Sequence, residues 1–145
     1  MMVVVNDERL LELPDSFDWA EGSALTVNCL TAYLSLTRVA QVQPGQSALV
    51  CGATGGVGHA VVQTSKALGA RPITVVSSAH KARWAIEAGR RRRRERHPSP
   101  QGVDKPAAGG RLRPVIDSRF ALDDFEDGHT RLASREAIGS IVVEL

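Results

Sequence analysis

Val50–Ala60 reads VCGATGGVGHA, a short apolar run opening into a loop with four glycines in seven positions. Loops of this composition hold phosphate groups against backbone N–H groups. Spacing decides which kind it is. A P-loop needs Gly-Lys-Ser/Thr at its end, and here Gly58 is followed by His59-Ala60. A pattern with three residues between its first and second glycines would need glycine at position 59, which His59 occupies. Ala53-Thr54-Gly55-Gly56-Val57-Gly58 does fit A-x-G-x-x-G, the dinucleotide fingerprint with alanine in its first place. A small residue at 53 permits a tight turn off a strand. Gly55 lets the backbone approach a pyrophosphate, and Gly58 lets the following helix pack closely.

The flanks supply the context this fingerprint requires. Ser47–Cys51 is a compact apolar strand. Helical spacing follows at Val57, Ala60, Val61 and Leu68, and Gly69 suits the position just past a helix end. Ile73–Val76 is β-branched and predicts a second strand, so strand, glycine turn, helix and strand form a βαβ unit with its parallel sheet. A further helix is expected over Ala79–Ala88, stopping at Gly89.

Upstream, Val3–Val5 suits a short strand. Ser16 and Asp18 are candidate N-caps for a helix whose buried stripe runs through Leu25, Cys29, Ala32, Leu36 and Val39/Ala40, and Pro44-Gly45 must end it. Downstream, Leu112–Ile116 is a predicted strand, Leu122–Leu132 an amphipathic helix and Ile141–Leu145 a closing strand. The fold class is therefore α/β, a partial Rossmann-type parallel sheet followed by a strand-helix-strand segment. Aromatic residues make up only 4% of 145 residues, so Val, Ala and Leu must fill the core.

Charge is unevenly distributed. Six of 18 cationic side chains and one of 16 acidic ones fall in Arg90–Arg96 (RRRRRER), leaving 12 against 15 elsewhere. The net +2 thus describes a mildly acidic globule with a basic insertion, and general nucleic-acid affinity does not follow from it. No apolar run approaches the roughly 20 residues of a membrane span, and the start lacks the basic region of a signal peptide. Cys29 and Cys51 match no metal-ligand or redox pattern. The expectation is a cytoplasmic chain with two reduced, buried thiols and no metal. His59, His80, His97 and His129 suggest no ligand set and read as surface histidines.

The end of the second strand bears on cofactor choice. A carboxylate there would hold the adenosine ribose 2′-OH of NAD. The chain instead reads Val76-Ser77-Ser78-Ala79-His80-Lys81, with no acid before Glu87. Two hydroxyls and an ammonium suit a 2′-phosphate, which favours NADP(H).

Three further segments carry a resemblance. Leu30-Thr31-Ala32-Tyr33, Val42-Gln43-Pro44-Gly45 and Leu49–Gly58, in that order and spacing, resemble the zinc-independent quinone oxidoreductase (zeta-crystallin-like) branch of the medium-chain dehydrogenase/reductase superfamily. The tail is similar too, through Gly110–Asp117, Phe120–Asp124 and Gly139-Ser140-Ile141-Val142, with Ser140 where that family usually has lysine. The resemblance covers Val3–Gly89 and Gly110–Leu145. It implies hydride transfer from NADPH to a quinone or activated alkene, with Asn28 and Thr31 near the nicotinamide. It also implies Gly55, Gly56 and Val57 along the pyrophosphate and Ser77, Ser78 and Lys81 around the 2′-phosphate, with Ala53, Thr54 and Gly58 the remaining cofactor-binding positions of the fingerprint loop. It assigns no catalytic residue.

Against the family pattern, the chain reads as truncated at the N-terminus and internally deleted, and the expectation is an activity impaired or lost in the chain alone. Residues 1–17 would be a remnant of the catalytic GroES-like domain, and 18–89 a partial NADP-binding domain. Residues 90–110 would be a disordered Arg/Pro-rich linker, and 111–145 the C-terminal strand-helix-strand remnant of the GroES-like domain. Such a fragment leaves sheet edges uncovered, so self-association or a partner chain is expected. Alternatives stay open: a non-catalytic nucleotide-binding or interaction module, or a nucleic-acid binder acting through Arg90–Arg96. The arginine run itself reads as a frameshift product, a solvated linker or a phosphate-binding patch, in that order of preference.

Overall fold

The structure, a computed structural model, describes residues 12–13, 15–94 and 112–145. Asp18 starts the first helix, α1 (Trp19–Leu34). Its carboxylate accepts from Glu21 N at 2.8 Å, and the Glu21 carboxylate takes the Asp18 N–H at 3.3 Å, a reciprocal capping box. The helix runs on into one widened turn, Ser35–Val39, where Ala40 N donates to Ser35 O. The extra residue in that turn carries the stripe off line. Ala32 and Leu36 are buried as their spacing predicts, whereas Val39 is 83% exposed.

The next elements are β1 (Ser47–Cys51), α2 (Gly56–Ala67) and β2 (Arg71–Val75). The strands run parallel, with Leu49 opposite Ile73 and Cys51 opposite Val75, which makes the expected βαβ unit. Gly69 adopts φ +77° just past the helix end, as a left-handed stop requires. The second strand begins at Arg71, two residues before the apolar pattern suggests. Arg71 N donates to Gln46 O at 2.8 Å and its guanidinium reaches Ser47 Oγ, which extends the ladder through Pro72.

Helix α3 spans Ala79–Arg94, so helix continues past Gly89 into the arginine run. Arginine is a good helix former, and one internal glycine costs only about 1 kcal/mol. The remainder of that segment, 95–110, and the Val3–Val5 strand lie outside the described residues.

A second parallel β–α–β unit follows: β3 (Ile116–Ala121), a short turn of 3-10 helix (Leu122–Asp124), α4 (Phe125–Ala133) and β4 (Ser140–Glu144). The strand expected at Leu112–Ile116 lies further along. Over Arg113 the partner is a side chain instead. Gln63 Nε2 donates to Arg113 O at 2.8 Å and Gln63 Oε1 accepts from Arg113 N at 2.9 Å, imitating a neighbouring strand. Asp117 anchors the unit internally: Arg131 donates two hydrogen bonds to it, at 2.9 and 3.0 Å, and Ile138 N adds one at 2.7 Å. Two ionic ties join the unit to the start of α1, Arg113 to Glu21 and Arg119 to Asp18.

The buried apolar residues are mostly small, including Ala20, Ala24, Ala32, Ala53, Ala60 and Ala70, with Leu36, Val50 and Ile138. Val50 faces inward, while Leu49, Ile73 and Val75 stand 68%, 47% and 45% exposed on the other side of the sheet. Cys51 shares that outer face and is exposed, and Cys29 is half-buried, so the expectation of two buried thiols does not hold. Strand alternation places Cys51 on the same side as Leu49. Burial holds the Cys29 thiol above its ordinary pKa.

Candidate dinucleotide site

Strand β1 delivers the chain into a tight turn. Gly52 sits at φ +65°, a conformation that favours glycine, and its carbonyl accepts from Gly55 N at 3.0 Å. Helix α2 then starts with no capping side chain. Its first-turn N–H groups are what an anion meets there, reinforced by the helix dipole.

The glycines differ in what surrounds them. A Cβ on Gly58 would lie 2.1 Å from Gly52 O and 3.1 Å from Ala53 Cα, so only glycine lets α2 pack on the turn. A Cβ on Gly55 would meet nothing nearer than Gly52 O at 3.5 Å, which leaves its outer side open to a ligand. A Cβ on Gly56 would strike Ser140 Oγ at 2.7 Å and Asn28 Nδ2 at 2.8 Å. Ala53 and Thr54 are buried beneath the loop, while Val57 is exposed. Open backbone at Gly55 above a supporting turn fits a pyrophosphate.

Ser77, Ser78 and Lys81 follow β2 at the start of α3. Ser78 Oγ accepts from Lys81 N at 3.3 Å, which caps the helix and leaves the hydroxyl proton to donate elsewhere. Lys81 Nζ donates to Arg135 O at 2.7 Å. That contact is with a neutral carbonyl and leaves two further N–H groups to donate. Ser77 is exposed beside them. This donor set, with no carboxylate in it, fits a 2′-phosphate.

Asn28 and Thr31 occupy successive turns of α1. Asn28 is half-buried and Nδ2 donates to Ser140 Oγ at 3.0 Å, whereas Thr31 is exposed. The two therefore play different parts. A groove of about 300 Å³ runs between α1 and β4, lined by Ser23, Ala24, Val27, Asn28, Ser140 and Val142 among others.

The tail takes a part in the site that the sequence alone does not reveal. Gly139 N donates to Thr54 O at 2.7 Å, and Gly139 pairs with Gly55 in a short parallel bridge. A Cβ on Gly139 would meet Val115 O at 2.2 Å, and its φ of +103° suits glycine alone. Gly139-Ser140 was legible as a family-like segment, but nothing local showed that it lies against the fingerprint loop. His59 is buried, edge-on to Trp84 with ring centroids 5.4 Å apart, and so is not the surface histidine its position suggested. Among the described residues, no group of His, Cys, Asp and Glu is arranged to hold a metal ion. None of their helices is long and apolar enough to cross a membrane.

A glycine turn between a parallel strand and a helix, with a cation at the end of the second strand, is the arrangement found in dinucleotide-binding α/β folds. Similarity to known proteins is consistent with this. Over 86 residues the chain is 37% identical to the quinone oxidoreductase of Pseudomonas aeruginosa, covering 59% of this chain and 26% of that protein. It is 43% identical over 84 residues to the mycoketide-CoA synthase of Mycobacterium tuberculosis, covering 57% of this chain and 2% of that protein. The mitochondrial enoyl-[acyl-carrier-protein] reductase of Homo sapiens is 40% identical over 73 residues, 50% of this chain and 20% of that protein. The chain thus spans about a quarter of the matched quinone oxidoreductases and at most 3% of the polyketide synthases. Among solved structures, the quinone oxidoreductase of Thermus thermophilus, determined also in complex with NADPH, superposes with a TM-score of 0.77 at 24% identity. That match covers 99% of this chain and 72% of the other. No protein-family profile matches. Over about 85 residues the chain is thus similar to quinone oxidoreductases, and its fold is that of the quinone oxidoreductase structure it superposes on.

Proposed function

We propose that the chain is the NADPH-binding part of a quinone reductase-type oxidoreductase, working in the cytoplasm on a small quinone or activated alkene. The observation that carries the reading is the loop itself, open above Gly55 and closely packed at Gly58 against the Gly52 carbonyl. The first-turn N–H groups of α2 bind the pyrophosphate, and the small Ala53 and Thr54 support the turn beneath it. Ser77, Ser78 and Lys81 hold the 2′-phosphate by hydroxyl donors and an ammonium. Thr31, exposed on α1, faces the nicotinamide end. Bound NADPH supplies a hydride to the acceptor, which takes up a proton from water. The chain's own residues bind and orient.

The test is a fluorescence titration of the full chain with NADPH and NADH, paired with an oxidation assay using a soluble quinone. Tight NADPH binding with weaker NADH binding is the expected result, and no binding of either sinks the reading. Binding without oxidation points instead to a non-catalytic nucleotide-binding module, one completed by a second copy or a partner chain. That second reading draws on the apolar sheet face left bare at Leu49, Ile73 and Val75.

A further inference from the structure

Asn28, Gly56 and Ser140 come from α1, the fingerprint loop and β4, yet they meet at one point. Asn28 Nδ2 donates to Ser140 Oγ at 3.0 Å across 112 residues of sequence. The two atoms lie 2.8 and 2.7 Å from where a Cβ on Gly56 would stand, so both press on the first residue of α2. The backbone under Ser140 is fixed independently, by Gly139 N to Thr54 O at 2.7 Å and Ser140 N to Val115 O at 2.8 Å. Ser140 is only part-buried and lines the groove between α1 and β4. A hydroxyl has one proton and two lone pairs. Asn28 fills one lone pair, which orients the group and leaves the proton to donate.

We propose that Ser140, oriented by Asn28, donates a hydrogen bond to the pyrophosphate of the bound dinucleotide, adding a side-chain donor to the backbone N–H groups of α2. The proposal rests on the dinucleotide reading of the loop. It makes Ser140 a cofactor-contacting residue and Asn28 a positioning residue that acts through it. It also gives a reason for a strand so distant in sequence to be pinned to the loop through Gly139 N and Thr54 O.

Threonine and valine at 140 have the same shape and differ by the hydroxyl alone, so Ser140→Thr and Ser140→Val separate the donor from packing. In the full chain, NADPH binding by fluorescence titration should stay within about twofold of wild type for Ser140→Thr. It should weaken about tenfold for Ser140→Val, the usual effect of losing a hydrogen bond to a charged group. Asn28→Ala should weaken binding about threefold, with the loss absent when valine already occupies 140. Two fragments locate the contact. 2′-Phospho-ADP-ribose carries the pyrophosphate and should show the Thr/Val difference, while adenosine 2′-phosphate lacks it and should not. Equal NADPH affinity for the Thr and Val variants overturns the proposal. A loss that extends equally to adenosine 2′-phosphate also overturns it, because that pattern means a disturbed fold. Failure of the wild type to bind NADPH at all removes the dinucleotide reading itself, a separate outcome from either.

Discussion

Gly58 stands where any Cβ would come within 2.1 Å of the Gly52 carbonyl oxygen, so the third fingerprint position is closed to side chains by the first turn of the same loop. Gly55 differs, with 3.5 Å to that oxygen and open space beyond. Gly58→Ala is therefore expected to cost about 2–3 kcal/mol through backbone displacement, read as a lower urea midpoint. Gly55→Ala adopts its φ of −78° without strain. It should change stability by less than about 1 kcal/mol and still weaken NADPH binding at least tenfold, because the new methyl occupies the pyrophosphate's approach. Equal effects of the two substitutions on stability would contradict this division of roles.

Lys81 Nζ rests on Arg135 O and has two further N–H groups to donate. Lys81→Ala should reduce NADPH affinity about tenfold, as for other charge-assisted phosphate contacts, and leave NADH affinity within twofold. Isothermal titration with both cofactors reads the ratio. A parallel loss for NADH would place the ammonium somewhere other than at the 2′-phosphate.

Asp117 is almost wholly enclosed, and the two hydrogen bonds from Arg131, followed by those from Ile138 N and Ser118, outweigh burial to hold its carboxyl below its ordinary pKa of 3.8. Glu21, paired with Arg113, and Asp18, paired with Arg119, are held low as well. A carboxyl whose pKa is lower in the folded chain binds fewer protons there than in the unfolded chain. Its stabilisation is full above the ordinary values, 3.8 for Asp and 4.5 for Glu, and is lost as pH falls through the folded values. Thermal midpoints should thus be level from pH 7 to about 5 and drop steeply below 4.5. Asp117→Asn should lower the thermal midpoint at neutral pH, by weakening the hydrogen bonds from Arg131 and Ile138 N, and flatten the acid limb.

The outer face of β1 and β2 carries Leu49, Ile73 and Val75 in register with no layer over it among the described residues. Apolar surface of this kind binds hydrophobic dyes or other protein surfaces. Sedimentation is expected to show concentration-dependent self-association, reduced in a Leu49→Ser, Ile73→Ser double variant with α2 and its contacts intact. A monodisperse wild type with the same sedimentation as the variant would mean that the face is covered within the chain.

The first half of the molecule was readable from local chemistry because its signals are local. Asp18 caps where a capping residue was sought, Ser47–Cys51 matches the observed strand, and the A-x-G-x-x-G spacing falls where strand gives way to helix. What escaped depends on contacts distant in sequence. Leu112–Ile116 reads as strand, but at Arg113 the Gln63 side chain takes the backbone hydrogen bonds, and strand pairing begins at Ile116. His59 reads as a surface residue until Trp84 closes over it. Val39 fits the stripe by spacing and loses it to one widened turn. The resemblance marked Asn28 as a cofactor neighbour, but its hydrogen bond to Ser140 belongs to the tertiary fold.

The bridge from Gly55 to Gly139 has a kinetic consequence. During synthesis the fingerprint loop leaves the ribosome long before its partner strand exists, and N-terminal segments begin folding first. The nascent cradle must wait, incomplete, until Gly139 arrives, and closing so distant a pairing is slow. The ability to bind a dinucleotide would then appear late and abruptly in the life of each molecule, not growing with the chain.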